Sequence, residues 1–185
     1  MRVIAGKAKG RKLKPVPGGG TRPITDRAKS ALFSILGQDV IGCRFLDLFA
    51  GTGQVGIEAL SRGAAEAVFV ERGAAALQTI RENLAATRLT ERGQVVRADV
   101  FEYLRGEPQP FDYVYIAPPQ YRGLWLEALR AVDERPGWLT EDGWVIVQMD
   151  RREYQDVPLT NLRLFDRRDY GGVTLCMYVV EPDEE

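Results

Sequence analysis

Acidic residues and glycines at predicted strand ends are the groups in this chain best placed to bind a small cofactor. Residues 45–56 read FLDLFAGTGQVG, in which an apolar strand carrying Asp47 leads into glycines and then into a helical pattern. This order puts backbone N–H groups and a helix N-terminus at the carboxyl end of a strand, where an open α/β sheet binds its ligand. Gly51 and Gly53 are needed there because a side chain would hold the ligand away from the backbone.

The same glycines, with Gly56, also satisfy the G-x-G-x-x-G pattern of dinucleotide sites. Two carboxylates nevertheless favour S-adenosylmethionine over NAD. Asp47 suits a ligand with a cationic amine and a sulfonium, and it would repel a pyrophosphate. Glu71 ends the next apolar strand, 18 residues after Gly53, which is the usual interval for a carboxylate that binds ribose hydroxyls. Ordinary solvation of strand ends is the alternative interpretation of both acids.

Length and composition limit the classes of function. The 185 residues can form one substantial core, and 45% apolar and 28% charged residues are ordinary for a globular protein. Because the chain has no run of 18 apolar residues and no apolar signal-peptide core, we expect a cytoplasmic protein without a membrane partner. Cys43 and Cys176 are expected in the core. There is no histidine, which excludes histidine triads and imidazole metal ligands, and we expect no metal.

Positive charge is concentrated at the amino end. Residues 1–29 contain nine Lys or Arg and one acid, which leaves 16 basic and 25 acidic residues in the remainder. This asymmetry predicts a basic arm that binds phosphate, with a solvated disordered tail as the alternative. We expect residues 1–16 to form a hairpin whose deletion spares cofactor binding. The predicted phosphate contacts are Arg2, Lys7, Lys9, Arg11, Lys12 and Lys14.

Downstream, apolar periodicity predicts a regular alternation of strands and helices. The predicted helices are 26–36, 55–62, 74–87 and 124–133, and the predicted strands are 43–49, 67–70, 94–98, 113–116, 144–148, 162–168 and 173–180. The last two strands are separated by a Tyr-Gly-Gly turn and should form an antiparallel hairpin. The pattern therefore predicts a doubly wound, mostly parallel α/β sheet with one reversed strand. Asp99 ends the third strand, where it could accept a hydrogen bond from an adenine amine or cap the turn at 102–104.

Four segments resemble RsmD-type bacterial 16S ribosomal RNA guanine-N2 methyltransferases: MRVIAGKAKGRKLK, RPITDRAKSALFSIL, LDLFAGTGQVGIEALSRGA and FDYVYIAPPQY. The resemblance covers almost the whole chain. It implies a class I Rossmann-like methyltransferase fold with a seven-stranded sheet, and S-adenosylmethionine as cofactor. It also implies methylation of one guanine in 16S ribosomal RNA, with that RNA, within a small-subunit particle, as the partner. We expect a monomer in which residues 1–20 form a basic hairpin extension and residues 21–185 form the catalytic domain.

The resemblance also assigns residues to the cofactor. Asp47, Gly51 and Gly53 would line its methionine end, Glu71 would hold the ribose, and Asp99 would meet the adenine. The other residues assigned to this site are Phe49, Arg72 and Val100, together with Arg22 and Thr25, which would close over the cofactor.

The segment around the proline pair departs from the pattern of amino-methyltransferases, in which Asp or Asn precedes Pro-Pro and an aromatic residue follows directly. Here Ala117 takes the first position, Gln120 takes the fourth, and Tyr121 comes one place later. The usual side chain accepts a hydrogen bond from the target amine, which Ala117 cannot do. We expect a catalytic segment of Ala117, Pro118, Pro119 and Tyr121, in which the tyrosine either stacks on a flipped base or packs at a helix start.

Three other functions stay open at this point. A DNA amino-methyltransferase would share the proline pair, although the chain has no large insertion for target recognition. A non-catalytic RNA-binding module, suggested by Ala117, would bind the cofactor without turnover. An NAD oxidoreductase would need a second, substrate-binding domain, for which the chain leaves no room.

Overall fold

The computed structural model describes residues 1–19 and 23–183, which fold around a seven-stranded sheet. The strands are β1 (Arg44–Leu48), β2 (Glu66–Glu71), β3 (Gly93–Arg97), β4 (Phe111–Ile116), β5 (Leu139–Asp150), β6 (Leu162–Tyr170) and β7 (Val173–Val180). The α-helices are α1 (Asp26–Leu36), α2 (Gln54–Ser61), α3 (Ala74–Thr87), α4 (Val100–Arg105) and α5 (Leu124–Glu134). The strand order is β3-β2-β1-β4-β5-β7-β6. Strands β1 to β5 are parallel, and β7 runs antiparallel to both β5 and β6.

Helices cover both faces of the sheet, which explains why the central strands are continuous apolar runs. One core cluster lies between the sheet and helices α1, α2 and α3, and the other lies beneath α4 and α5. Strand β1 is the point at which the strand order reverses, because it pairs with β2 on one side and with β4 on the other. The predicted doubly wound sheet with its reversed carboxyl-terminal hairpin is confirmed.

Two elements are longer than their patterns predicted. The turn expected at 102–104 is the helix α4, which the Asp99 carboxylate begins by accepting hydrogen bonds from two backbone N–H groups. Strand β5 begins at Leu139, five residues before the predicted start, because its first half carries exposed acids that break the apolar pattern. A register irregularity in β4 between Phe111 and Tyr113 accompanies this extension.

The amino-terminal segment packs against the domain. Its hairpin is reduced to one antiparallel bridge between Arg2 and Lys12. Val3, Ala8 and Leu13, none more than 5% exposed, belong to the core cluster of α1 and α2. Deleting residues 1–16 would therefore remove core contacts, so a test of whether the deletion spares cofactor binding must also measure the stability of the shortened protein.

None of the helices in the described part of the chain is long and apolar enough to cross a bilayer.

Candidate active site

The loop between β1 and α2 turns sharply at the carboxyl edge of the sheet. Phe49, Gly51 and Gly53 all adopt left-handed backbone conformations, with φ of 60°, 58° and 77°. Such angles cost little for glycine but are uncommon for phenylalanine. The Gly53 carbonyl accepts the hydrogen bond from Ile57 N–H that begins α2. This turn lies at the point where the strand order reverses, which is where doubly wound sheets bind ligands.

Two adjoining cavities open above this loop. The Asp47 cavity, of about 280 Å³, also contains Tyr115 and Gln148 in its wall. The Asp99 cavity, of about 160 Å³, contains Glu71 in its wall. Five residues line both cavities, which therefore form one continuous groove: Phe49, Gly51, Ala117, Pro119 and Arg122. We call this the cofactor groove.

Asp47 is a buried carboxylate facing the cofactor groove, with only 2% of its surface exposed. Its Oδ2 accepts a hydrogen bond from Gly56 N–H at 3.2 Å. Burial raises the pKa of Asp47 well above its ordinary value; the Gly56 hydrogen bond opposes this rise and the charge of Glu71 adds to it. A cationic ligand group in the cavity would stabilise the ionised carboxylate. The site therefore fits the ammonium of an amino-acid moiety.

Glu71 fixes the loops on either side of the groove. Its Oε2 accepts a hydrogen bond from Gly51 N–H at 3.0 Å, and its Oε1 accepts one from Gly73 N–H at 3.1 Å. Oε1 also accepts a hydrogen bond from Arg72 N–H at 3.2 Å, so Oε2 is the oxygen that can accept a further one. Glu71 can therefore bind a ribose hydroxyl while holding the glycine loop in place, and simple solvation of a strand end does not describe it.

The two carboxylate oxygens of Asp99 have different surroundings. Its Oδ1 caps α4 by accepting from the N–H groups of Phe101 and Glu102, at 2.9 and 3.2 Å. The capping interpretation is therefore confirmed. Its Oδ2 lies 3.6 Å from an Arg72 guanidinium nitrogen, and the residue also lines the Asp99 cavity beside Arg72 and Val100.

The proline pair lies across the groove from Asp47. Ala117 and Pro119 line both of its cavities and Pro118 lines the Asp47 cavity. Tyr121 lies outside both, 57% exposed and with a left-handed φ of 61°. Its hydroxyl is 2.5 Å from an Arg152 nitrogen, and that guanidinium lies 5.5 Å from the centre of its ring. The tyrosine thus lies at the protein surface with Arg152 and does not pack at a helix start.

Some residues assigned to the cofactor from sequence do not line the groove. Gly53 acts through its backbone at the start of α2. The Thr25 hydroxyl caps α1 by accepting from Ala28 N–H at 3.2 Å. Pro23 and Ile24, from the same segment, line the Asp47 cavity instead. Arg22 lies outside the described residues.

Two further residues line the Asp47 cavity that the sequence patterns did not indicate, Tyr115 and Gln148. Tyr115 is in β4 and Gln148 is near the carboxyl end of β5, so the strand-end rule that selected Asp47 and Glu71 could have found the glutamine. Arg122, which lines both cavities of the groove, was also overlooked.

The six predicted phosphate contacts are all exposed: Arg2, Lys7, Lys9, Arg11, Lys12 and Lys14. Two of them form exposed ion pairs, Arg2 with Asp26 at 3.5 Å and Lys14 with Glu82 at 3.3 Å. Such pairs are weak and can exchange for a phosphate. Asn83, which is fully buried, accepts a hydrogen bond from Lys14 N–H at 2.7 Å and donates one to the Thr52 carbonyl at 3.0 Å. It thereby ties the basic segment to the glycine loop.

The strand order, the glycine loop and the acids at adjacent strand ends define a Rossmann-like methyltransferase fold. The solved structure of the Escherichia coli protein yhhF has this fold, with a TM-score of 0.85, 34% identity and coverage of 98% of both chains.

The chain belongs to the family described as Conserved hypothetical protein 95, whose model matches residues 1–179. YlbH of Bacillus subtilis (strain 168) is 38% identical, over 96% of this chain and 98% of its own length. The Escherichia coli (strain K12) protein named Ribosomal RNA small subunit methyltransferase D is 34% identical, over 100% of this chain and 92% of its own. The resemblance to the RsmD-type family is confirmed.

Proposed function

We propose that this protein transfers a methyl group from S-adenosylmethionine to the exocyclic N2 amine of a guanine in 16S ribosomal RNA of the small subunit. The observation that carries the proposal is the buried Asp47 carboxylate at one end of a groove whose other end holds Glu71 and Asp99. This spacing of acids suits a ligand with an ammonium at one end and a ribosyl adenine at the other. The name of the Escherichia coli relative supports ribosomal RNA of the small subunit as the substrate.

The residues of the groove bind and orient the reactants. Asp47 would hold the ammonium, Glu71 the ribose hydroxyls and Asp99 the adenine amine. S-adenosylmethionine supplies an electrophilic methyl group on a sulfonium that leaves as a neutral thioether, so the protein needs no nucleophile of its own. Positioning alone can lower such a barrier by about 7–11 kcal/mol. A site in a chain without histidine can therefore support this reaction.

Ala117 favours one alternative, a cofactor-binding RNA-binding module with impaired catalysis. Its methyl group lines both cavities of the groove at the position where an acceptor for the amine is expected, and it cannot accept a hydrogen bond. The exposed basic residues of the amino-terminal segment would serve either function.

An assay of methyl transfer distinguishes the methyltransferase from the RNA-binding module. The protein is incubated with S-adenosylmethionine labelled in its methyl group and with unmodified 16S ribosomal RNA or small subunits. We expect label in the RNA with wild type, and none with Asp47→Asn, because the neutral amide loses the attraction for the ammonium. Cofactor and RNA binding without incorporation would support the binding module.

The Glu71→Ala substitution should weaken S-adenosylmethionine binding by about 1–3 kcal/mol, the range for a hydrogen bond to a charged group. Titration calorimetry measures the loss. Glu71→Gln is the matched control for loop position, because its amide keeps an acceptor for Gly51 or Gly73 N–H. We expect Gln to fall between wild type and Ala. An unchanged affinity in both variants contradicts the assignment of Glu71 to the ribose.

Affinity for RNA should fall steeply with salt if the basic segment contacts phosphates. Each true contact removed by Lys7→Gln, Lys9→Gln or Lys12→Gln should lower the slope of log affinity against log salt by about 0.7–0.9. Filter binding over a salt series measures the slope. Arg130→Gln, on the exposed side of α5, is the control and should leave it unchanged. If the lysine variants match this control, the segment does not bind the RNA backbone.

A further inference from the structure

A third cavity adjoins the cofactor groove and bears polar groups. This Tyr170 cavity, of about 320 Å³, shares Pro23, Gln120 and Gln148 with the Asp47 cavity. The remaining residues that line it include an arginine, an acid, a threonine and an aromatic ring: Arg27, Asp150, Thr25 and Tyr170. A cation, hydrogen-bonding groups and a ring are the groups that bind an unstacked nucleotide. The cavity thus offers a path for a base towards the groove.

Gln148 is the anchored amide on the wall between these two cavities. The hydroxyl of Tyr115, a residue only 2% exposed, donates a hydrogen bond to Gln148 Oε1. Burial raises the pKa of Tyr115 well above its ordinary value, so the hydroxyl keeps its proton. An amide oxygen has two lone pairs, and this bond uses one of them. Gln148 therefore presents an oriented acceptor with capacity left for a ligand.

Gln120 lies on the same wall but is less constrained. Among residues 1–19 and 23–183, no group forms a hydrogen bond with the side-chain amide of Gln120. The side-chain amide of Gln148, in contrast, accepts one from Tyr115. An acceptor already held in place loses less conformational entropy when a ligand binds. Of the two glutamines, Gln148 is better suited to orient a reacting amine.

We propose that the target base enters through the Tyr170 cavity and that Gln148 Oε1 accepts a hydrogen bond from its exocyclic amine, the role that Ala117 cannot perform. This inference rests on the proposed methyltransferase function and deepens it. Gln148 is a catalytic residue in this account, since it touches the reacting amine, and Tyr115 is a positioning residue that acts through Gln148.

The proposed contact fits the electron balance of the transfer. The lone pair of the amine nitrogen forms the new N–C bond while the C–S bond breaks, and the electrons of that bond stay on sulfur. The nitrogen becomes cationic and afterwards gives a proton to water. The neutral amide of Gln148 takes no proton. It holds one N–H so that the lone pair faces the methyl group.

Steady-state kinetics on unmodified small-subunit RNA test the proposal. Gln148→Leu should lower kcat by about 10²-fold, the lower end for a positioned group, with cofactor affinity by calorimetry and RNA affinity by filter binding unchanged. Tyr115→Phe should lower kcat by a smaller factor and leave KM for the cofactor unchanged. Gln38→Leu, an exposed residue at the opposite edge of the sheet, is the matched control and should behave as wild type.

Two further variants separate a direct contact from a structural role. Gln148→Glu keeps an acceptor, and its rate divided by the wild-type rate should rise with pH as the new carboxylate ionises, a dependence that packing alone does not produce. Comparison with wild type removes the pH dependence that Asp47 gives to both proteins, because burial raises the pKa of Asp47. Adding Ala117→Asp to Gln148→Leu should restore at least part of the lost rate. If Gln148→Leu does not fold, the pH profile of Gln148→Glu relative to wild type decides: a rate ratio that rises with pH supports the proposal, and a ratio that stays flat overturns it.

Wild-type activity in the same assay reports on the proposed function separately. An inactive wild type rejects methyl transfer itself. An active wild type with Gln148→Leu within twofold of it overturns the role of Gln148. A larger loss in Gln120→Leu than in Gln148→Leu also overturns it, because the free amide would then be the acceptor.

Discussion

Replacing Glu58 with alanine is expected to lower the free energy of unfolding by about 3–5 kcal/mol, the cost of breaking a buried ion pair by removing one partner. Glu58 is fully buried, and so is Lys29, whose Nζ lies 3.2 Å from its Oε1. The Arg62 guanidinium lies 2.9 Å from the other carboxylate oxygen. The N–H groups of Ile4 and Ala5 donate to the same carboxylate, so it also holds the amino-terminal segment in place.

Removing Glu58 leaves the Lys29 ammonium buried without its counter-charge. Burial already lowers the pKa of Lys29, and the Glu58 charge opposes that shift. Urea unfolding followed by circular dichroism measures the loss. Glu82→Ala removes a carboxylate from an exposed pair with Lys14 and should leave the midpoint unchanged within error. If Glu58→Ala is no less stable than Glu82→Ala, the buried pair does not hold the segment.

The Ala117→Asp substitution should raise the rate of methyl transfer. A positioned acceptor or base typically adds about 10²–10⁴-fold. The gain here should be smaller, about tenfold, because Gln148 already orients the amine in the proposed arrangement. If the site is instead disabled in wild type, the variant should create activity where there was none.

A single-turnover assay of both proteins on unmodified small-subunit RNA distinguishes these outcomes. Ala65→Asp, at an exposed position before β2, adds the same charge away from the groove and should not change the rate. An Ala117→Asp protein that folds, binds cofactor and RNA, and is no faster than wild type contradicts the role assigned to this position.

The fold was predictable from sequence where local patterns decide it. Helix α3 has the predicted bounds, 74–87, and the carboxyl-terminal hairpin follows its turn residues. Strand β5 was predicted too short because the polar residues of its first half give no strand pattern in the sequence. The pairing of this half with β4 depends on the fold. Lys29 is one of the nine basic residues counted at the amino end, but it is fully buried and was not among the predicted phosphate contacts. Only the fold shows that this cation lies 3.2 Å from Glu58, 29 residues away in sequence.

The site residues that could be predicted are the acids at the ends of strands with a recognisable apolar pattern. Asp47, Glu71 and Asp99 meet at one edge of the sheet, as the strand-end rule predicts. The part that sequence could not supply is the contact that fixes Gln148 on the wall between the cavities. Gln148 lies two residues before the end of a strand that was predicted to stop there, and its hydrogen bond from Tyr115 joins two different strands.

Identification of the modified nucleoside tests whether the protein methylates the N2 amine of guanine. Small-subunit RNA that lacks this class of modification is incubated with the protein and labelled S-adenosylmethionine, digested to nucleosides and separated by chromatography with mass spectrometry. We expect the label in N2-methylguanosine with wild type and no labelled nucleoside with Asp47→Asn. Label in another nucleoside, or cofactor and RNA binding with no labelled nucleoside, would contradict it.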